Sequence, residues 1–127
     1  MTGIAPWLSV PNAGQALDFY LAAFGAMERE RLEDDGQVVV AQLSIGGANF
    51  WIQTDPDTNP STVEGNSVRM IISVDDPQVV FDRAVAAGTT EVNPVSDGYG
   101  WRIGRLVDLA GQHWEMGRRL LNGVEPA

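Results

Sequence analysis

The chain repeats its own pattern at a constant spacing. An apolar segment ending in Val10 precedes a helical pattern, and a similar segment ending in Val74 precedes another. Further along, a strand-like segment follows Gly47 and its counterpart follows Gly111, so both pairs are separated by the same offset along the chain. Two half-size copies of one plan predict a pseudo-two-fold fold, so each candidate functional position in one half has a counterpart in the other.

Composition narrows the class of protein. A chain of 127 residues with 44% hydrophobic and 20% charged residues is long enough for one globular domain, residues 1–127, with its own core. The absence of cysteine excludes disulfides and thiolate metal sites. The net charge of −9 argues against nucleic acid as a partner and favours a cationic ligand, unless it serves only solubility. We expect a cytoplasmic protein without a membrane partner, because no apolar run could span a bilayer and the N-terminal residues lack the basic-then-apolar layout of a signal peptide.

The apolar periodicity predicts the order βαβββ twice, an α+β fold. Helices are predicted after the capping residues Asn12 and Asp76, closing at Gly25 and Gly88. Module one covers residues 4–53, a polar linker covers 54–66, and module two covers 67–118, with a frayed tail from Asn122. The predicted strands are Pro6–Val10, Arg29–Glu33, Val38–Ile45, Ala48–Gln53, Val68–Val74, Glu91–Val95, Ile103–Leu109 and Gln112–Met116.

Several motifs resemble the vicinal oxygen chelate superfamily, which contains glyoxalase I, extradiol dioxygenases, fosfomycin-resistance and bleomycin-resistance proteins. The motifs are Trp7–Val10, Ala16–Tyr20 with Ala23–Ala26, and Tyr99–Gly104 continuing through Asp108–Gly111 to Trp114. The resemblance is nearest to the PhnB-like branch. It implies tandem βαβββ modules that form a cupped mixed sheet, and a homodimer. The chain departs from the branch where Leu109 replaces a proline and Gln112 replaces a histidine, which displaces His113 by one residue.

The resemblance also locates the positions where metal-using relatives carry their ligands: Ala5, Trp51, Arg69 and Glu115. The internal repeat agrees, because positions 5 and 69, like positions 51 and 115, are separated by its constant offset. Of the four residues only Glu115 offers a donor suited to a divalent ion. A guanidinium about 4 Å from a dication would be repelled by roughly 8 kcal/mol at an effective dielectric constant of about 20. We therefore expect no metal cofactor, and an Arg69–Glu115 ion pair instead; the alternative is that Arg69 turns to solvent and Glu115 is hydrated.

His113, the only histidine, shares a strand face with Glu115 by two-residue alternation. The two residues are therefore the candidate catalytic pair, with a purely structural histidine as the alternative.

The predicted ligand site consists of aromatic and polar side chains on the concave side of the sheet. Trp7 and Trp51 should project into the cup, where they either line a pocket or fill it. Trp114 should pack toward the helices, and Tyr99 and Trp101 should lie near the rim. The complete set of predicted ligand-binding residues is Trp7, Gln42, Trp51, Arg69, Tyr99, Trp101, Arg102 and Glu115.

These features favour metal-free binding of a small planar or cationic organic molecule, similar to the drug-sequestering members of the superfamily. The main alternative is a metal-dependent lyase or dioxygenase of the glyoxalase type with an atypical ligand set. A third possibility is a fold that acts through protein contacts.

Overall fold

A computed structural model of the chain describes residues 3–58 and 68–120. The chain forms two compact units, Met1–Pro60 and Ser61–Ala127. Each contains one helix and one four-stranded mixed sheet, so the predicted α+β class and the order βαβββ are confirmed. Within the described residues, no helix is long and apolar enough to cross a membrane.

The first unit contains β1 (Trp7–Val10), α1 (Ala13–Phe24), β2 (Met27–Asp34), β3 (Gln37–Ile45) and β4 (Ala48–Thr54). The sheet order is β1-β4-β3-β2. The first and last strands of the unit are parallel neighbours, and the other pairs are antiparallel. Helix α1 lies against β2, β3 and β4.

The second unit repeats this arrangement with β5 (Met70–Ser73), α2 (Pro77–Ala86), β6 (Thr90–Gly98), β7 (Trp101–Val107) and β8 (His113–Arg119). Its sheet order is β5-β8-β7-β6, with β5 and β8 parallel. Helix α2 lies against β6, β7 and β8.

Side chains cap both helices at the predicted positions. Asn12 accepts a hydrogen bond from the Gln15 amide at 3.0 Å, and Asp76 accepts one from the Val79 amide at 3.4 Å. These bonds satisfy amides that have no partner inside the helix. Gly25 closes α1 in the left-handed region at φ 66°, as predicted. Helix α2 ends at Ala86, and Ala87, with φ −82°, takes the capping position one residue before the predicted Gly88.

One face of each sheet packs on its helix, and buried side chains identify that face. In the first unit Phe50 contacts Tyr20 of α1 edge-on, with ring centroids 5.6 Å apart. In the second unit the position of Gly104 faces Phe81 of α2. Alternation then sends odd-numbered residues of β4, β7 and β8 to the opposite side, which we call the open face of each sheet.

The ends of several elements differ from the prediction. Strand β5 is confined to Met70–Ser73, while β6 and β8 extend to Gly98 and Arg119. Strand β7 starts at Trp101 and ends at Val107, because Asp108 begins a turn that side-chain hydrogen bonds stabilise.

The predicted linker overlaps the end of the first unit. Thr54 is the last residue of β4; its hydroxyl donates to the Val38 carbonyl at 2.8 Å and accepts from the Ala13 amide at 2.9 Å. This hydroxyl therefore joins two strands to the start of α1. Residues 59–66 of the predicted linker, and the tail from Asn122, lie outside the described residues.

Gly104 of β7 is closely packed against α2 in the second unit, where a larger side chain has no room. A Cβ there would come within 2.7 Å of Val95 Cγ2 and 2.9 Å of Phe81 Cδ2. We expect Gly104→Ala to lower the free energy of unfolding by about 1–3 kcal/mol, the usual range for overpacking. The matched control is Gly98→Ala, where a Cβ has no neighbour within 4 Å and should change stability by less than about 0.5 kcal/mol. Urea denaturation measures both, and equal effects would contradict this account of the packing.

Candidate functional site

The open face of the first sheet carries an indole pair. Trp7 of β1 is the register partner of Trp51 of β4, and their ring centroids are 6.0 Å apart at an interplanar angle of 25°. The Trp7 indole N–H donates to Gln53 Oε1 at 3.0 Å, which holds the ring in place. Trp7 is nevertheless 52% exposed, so the pair presents aromatic surface to solvent.

Next to the indoles lies a recess of about 500 Å³. Gln42 of β3 lies directly opposite Trp51 and borders it, as predicted from the two-residue turn at Gly46-Gly47. Asn49 also borders the recess but was not among the predicted ligand-binding residues. The repeat could have indicated it, because Asn49 is the counterpart of the candidate residue His113. The full lining is Gly3, Ile4, Ala5, Trp7, Gln42, Asn49 and Trp51.

The open face of the second sheet carries charged groups at the corresponding place. Arg69 Nη1 lies 3.5 Å from Glu115 Oε1, which confirms the predicted ion pair. The Arg69 side chain is 47% exposed and that of Glu115 only 16%, so solvent weakens the attraction while Arg69 still compensates a mostly covered carboxylate.

A second arginine, which the sequence analysis missed, organises His113. Arg105 Nε and Nη2 lie 3.1 Å and 2.9 Å from Nδ1 of His113, whose side chain is fully buried. Because a guanidinium can only donate, Nδ1 is the acceptor and the imidazole is neutral with its proton on Nε2. His113 is thus a fixed partner of Arg105, on the same side of β8 as Glu115.

Arg105 borders a second recess of about 260 Å³, lined by Asn93, Pro94, Ser96, Ile103, Gly104, Arg105 and Glu115. Arg105 faces Glu115 across β7 and β8 just as Gln42 faces Trp51 across β3 and β4. By strand pairing, Arg105 is therefore the counterpart of Gln42. The constant offset of the repeat would instead have selected Leu106, because the β7–β8 hairpin is one residue longer than the β3–β4 hairpin.

Three predicted ligand-binding residues line neither recess. Tyr99 is fully exposed in the turn between β6 and β7 at φ 52°, and Trp101 packs under Arg119, with the guanidinium carbon 5.6 Å from the ring centroid. Arg102 alternates onto the side of β7 opposite Glu115. Its Nε donates to Asp97 at 2.8 Å, and this hydrogen bond holds the pKa of the Asp97 carboxyl below its usual value.

A buried carboxylate fixes the start of β8. Asp108 Oδ1 accepts from the amides of Ala110 and Gln112 at 2.8 Å and 2.9 Å, and Oδ2 accepts from the Trp114 indole at 2.7 Å. Trp114 is buried, as predicted. Asp108 therefore sets the conformation of the turn that leads into His113 and Glu115.

The residues present do not fit the metal site of metal-using relatives. In the first unit the two corresponding positions hold Ala5, which has no donor, and Trp51, which is stacked on Trp7. In the second unit they hold Arg69 and Glu115, which pair with each other. Over residues 3–58 and 68–120, no group of three or more His, Cys, Asp or Glu side chains could hold a metal ion.

Comparison with known proteins agrees with this duplicated architecture. Residues 7–116 match the family model described as a glyoxalase-like domain. The chain belongs to this glyoxalase-like domain family.

Relatives of this glyoxalase-like chain share the fold over nearly all of its length. It is 33% identical to an uncharacterized protein of Mycobacterium bovis, over 91% of this chain and 82% of that protein. The crystal structure of TioX from Micromonospora sp. ML1 has 27% identity and a TM-score of 0.74, covering 94% of this chain and 100% of TioX. The fosfomycin resistance protein FosX of Listeria monocytogenes has 16% identity and a TM-score of 0.73, covering 97% and 98%, and shows the fold alone.

Removing the turn carboxylate should destabilise the second unit. In Asp108→Asn the amide nitrogen cannot accept, so at least one buried donor loses its partner, and we expect a loss of about 1–3 kcal/mol in the free energy of unfolding. Asp97→Asn removes the charge of an exposed carboxyl and serves as the control, with little expected change. Urea denaturation would contradict this role of Asp108 if both variants were equally stable.

The donor set also predicts the response of this glyoxalase-like protein to metals. Protein purified without chelator should contain less than about 0.1 equivalent of transition metal by elemental analysis. Its melting temperature should also stay within about 1 °C on addition of Ni²⁺, Zn²⁺ or Mn²⁺, because an ion bound only to the native state would raise it. A stoichiometric metal, or a clear increase in melting temperature, would contradict the expectation.

Proposed function

We propose that the protein binds a small planar organic molecule against the Trp7–Trp51 pair, without a metal. The observation that carries the proposal is the half-exposed indole surface beside a recess of about 500 Å³. Aromatic rings stack on such a surface in offset geometry, and each good ring contact contributes about 0.5–1.5 kcal/mol beyond the area it buries.

The polar residues around the indoles suit a ligand with a few heteroatoms. Gln42 and Asn49 can each donate and accept hydrogen bonds at the border of the recess. Small-molecule sites typically place a small number of such groups beside aromatic side chains, as Gln42 and Asn49 are placed beside Trp7 and Trp51.

Charge favours a cationic compound at this unit. Residues 3–58 contain two arginines and eight carboxylates, so the unit that holds the indole pair carries an excess of negative charge, although none of these groups lines the recess. A cation also binds favourably over an indole face, by about 0.5–2 kcal/mol depending on its exposure.

Sequestration of a small molecule is the biological role we propose for this site. One solved structure with this fold is named a fosfomycin resistance protein, so the fold occurs in a protein that confers resistance to a small molecule. We propose the same broad role here, with a different ligand. Placement in the PhnB-like branch, homodimerisation and a cytoplasmic location stay predictions from the sequence.

The alternative, a metal-dependent lyase or dioxygenase, lacks a comparable observation. It would need ligands besides Glu115, and His113 already uses its Nδ1 to accept from Arg105. The aromatic surface therefore supports binding better than the available donors support metal chemistry.

The planar acridine dye proflavine, a cation, tests the proposal directly. We expect saturable binding, measured by the fluorescence anisotropy of the dye, and a loss of affinity of about fivefold to tenfold in Trp7→Ala and in Trp51→Ala. The loss follows from removing one stacking partner. Anisotropy of the dye is used because its value does not depend on the number of tryptophans in the variant.

Trp101→Phe provides the control, because Trp101 packs under Arg119 and does not line the recess beside the indole pair. Its affinity for the dye should stay within twofold of the unmodified protein. The proposal fails if the dye does not bind at high micromolar protein, or if all three variants lose the same affinity.

A further inference from the structure

We propose that Arg105 forms a binding site for the carboxylate group of a small molecule, in the recess on the second sheet. The recess belongs to the second unit and shares no lining residue with the recess beside the indole pair, and the proposal does not depend on the function proposed above. It rests on the geometry of the guanidinium, the neutrality of its partner and the lining of the recess.

The guanidinium is held along one edge only. Nε and Nη2 face Nδ1 of the buried His113, while Nη1 has no hydrogen-bond partner among residues 3–58 and 68–120. A guanidinium offers five N–H donors in a rigid plane, so fixing one edge also orients the other. That second edge has the fork geometry that accepts a carboxylate through two parallel hydrogen bonds.

The charge of Arg105 is left uncompensated by its partner. Arg31 pairs with Glu28 and Glu33, and Arg102 pairs with Asp97, so each of those guanidinium groups lies against a carboxylate. Arg105 bonds instead to a neutral imidazole, which orients the cation without neutralising it.

Glu115 does not cancel this charge either. It lies directly across from Arg105 in the strand register, but its carboxylate pairs with Arg69 at 3.5 Å. The three groups Arg69, Glu115 and Arg105 together carry one net positive charge beside the recess. An anionic ligand group would make this local charge balance neutral.

The remaining lining fits a carboxylate attached to a small apolar group. Asn93 and Ser96 can donate hydrogen bonds to oxygen atoms, and Ile103 and Pro94 provide apolar surface. The volume of about 260 Å³ suits a compact compound rather than a polymer.

The distribution of charge along the chain agrees with this assignment. Residues 68–120 contain six arginines and seven carboxylates, whereas residues 3–58 contain two and eight. The overall charge of −9 therefore conceals that residues 68–120 are close to neutral and contain six of the eight arginines of the chain.

The test compares benzoate with its uncharged analogue benzamide by NMR of the full ¹⁵N-labelled chain, at about 20 mM ionic strength to limit screening. We expect benzoate to shift the Arg105 Nε–H signal and the amides of β7 and β8 saturably, with a dissociation constant in the low millimolar range. Benzamide should bind at least tenfold more weakly, because it lacks the charge that Arg105 recognises.

Arg105→Gln should weaken benzoate binding at least tenfold, whereas Arg119→Gln, which removes a cation from the same face, should change it less than twofold. Trp7→Ala should leave benzoate binding unchanged, so failure of the indole site and failure of this site can be told apart. If Arg105→Gln does not fold, the comparison of benzoate with benzamide at the Arg105 Nε–H signal decides.

Three results would overturn the proposal. The first is the absence of a saturable benzoate shift in β7 and β8 up to 20 mM ligand. The second is equal binding of benzoate and benzamide. The third is a folded Arg105→Gln variant that binds benzoate as well as the unmodified chain does.

Discussion

The parallel pairing of the first and last strands within each unit determines where the candidate side chains lie. It brings Trp7 beside Trp51 in the first unit, and in the second it places the residues around Ile71 beside Glu115. Because strand side chains alternate, this one pairing decides which residues meet on the open face and which pack on the helix. The same backbone plan therefore carries an aromatic pair in one unit and an ion pair in the other.

The two units differ in the turn that leads into their last strand. The first unit joins β3 to β4 through a two-residue glycine turn, whereas the second joins β7 to β8 through a longer turn built around Asp108. A buried carboxylate is tolerated there because three donors satisfy it. The longer turn changes the register of the repeat by one residue, and in doing so it places Arg105 opposite Glu115.

The architecture could be predicted from the sequence, and so could the contacts that depend on the alternation of side chains along a strand. Helix caps at Asn12 and Asp76 and the burial of Trp114 depend on local pattern. The Arg69–Glu115 pair followed from the family resemblance, with which the repeat and strand alternation agree. Arg105 could not be found in this way, because its role depends on a turn length and on a hydrogen bond to His113. Arg102 also lies outside the predicted site. Strand β7 begins at Trp101, two residues before the predicted start at Ile103, so Arg102 lies within the strand and alternates onto the side that faces the helix.

The outer strand of the first sheet has a consequence for assembly. All of β2 is exposed, and its sequence places arginines among glutamates, with Arg31 bound to Glu28 and Glu33. A neighbouring molecule that tried to add its own strand there would have to displace these ion pairs and bring further carboxylates, such as Asp34, close together. The charge pattern thus disfavours growth of the sheet into a fibril from this border, and all eight residues of the strand stay exposed.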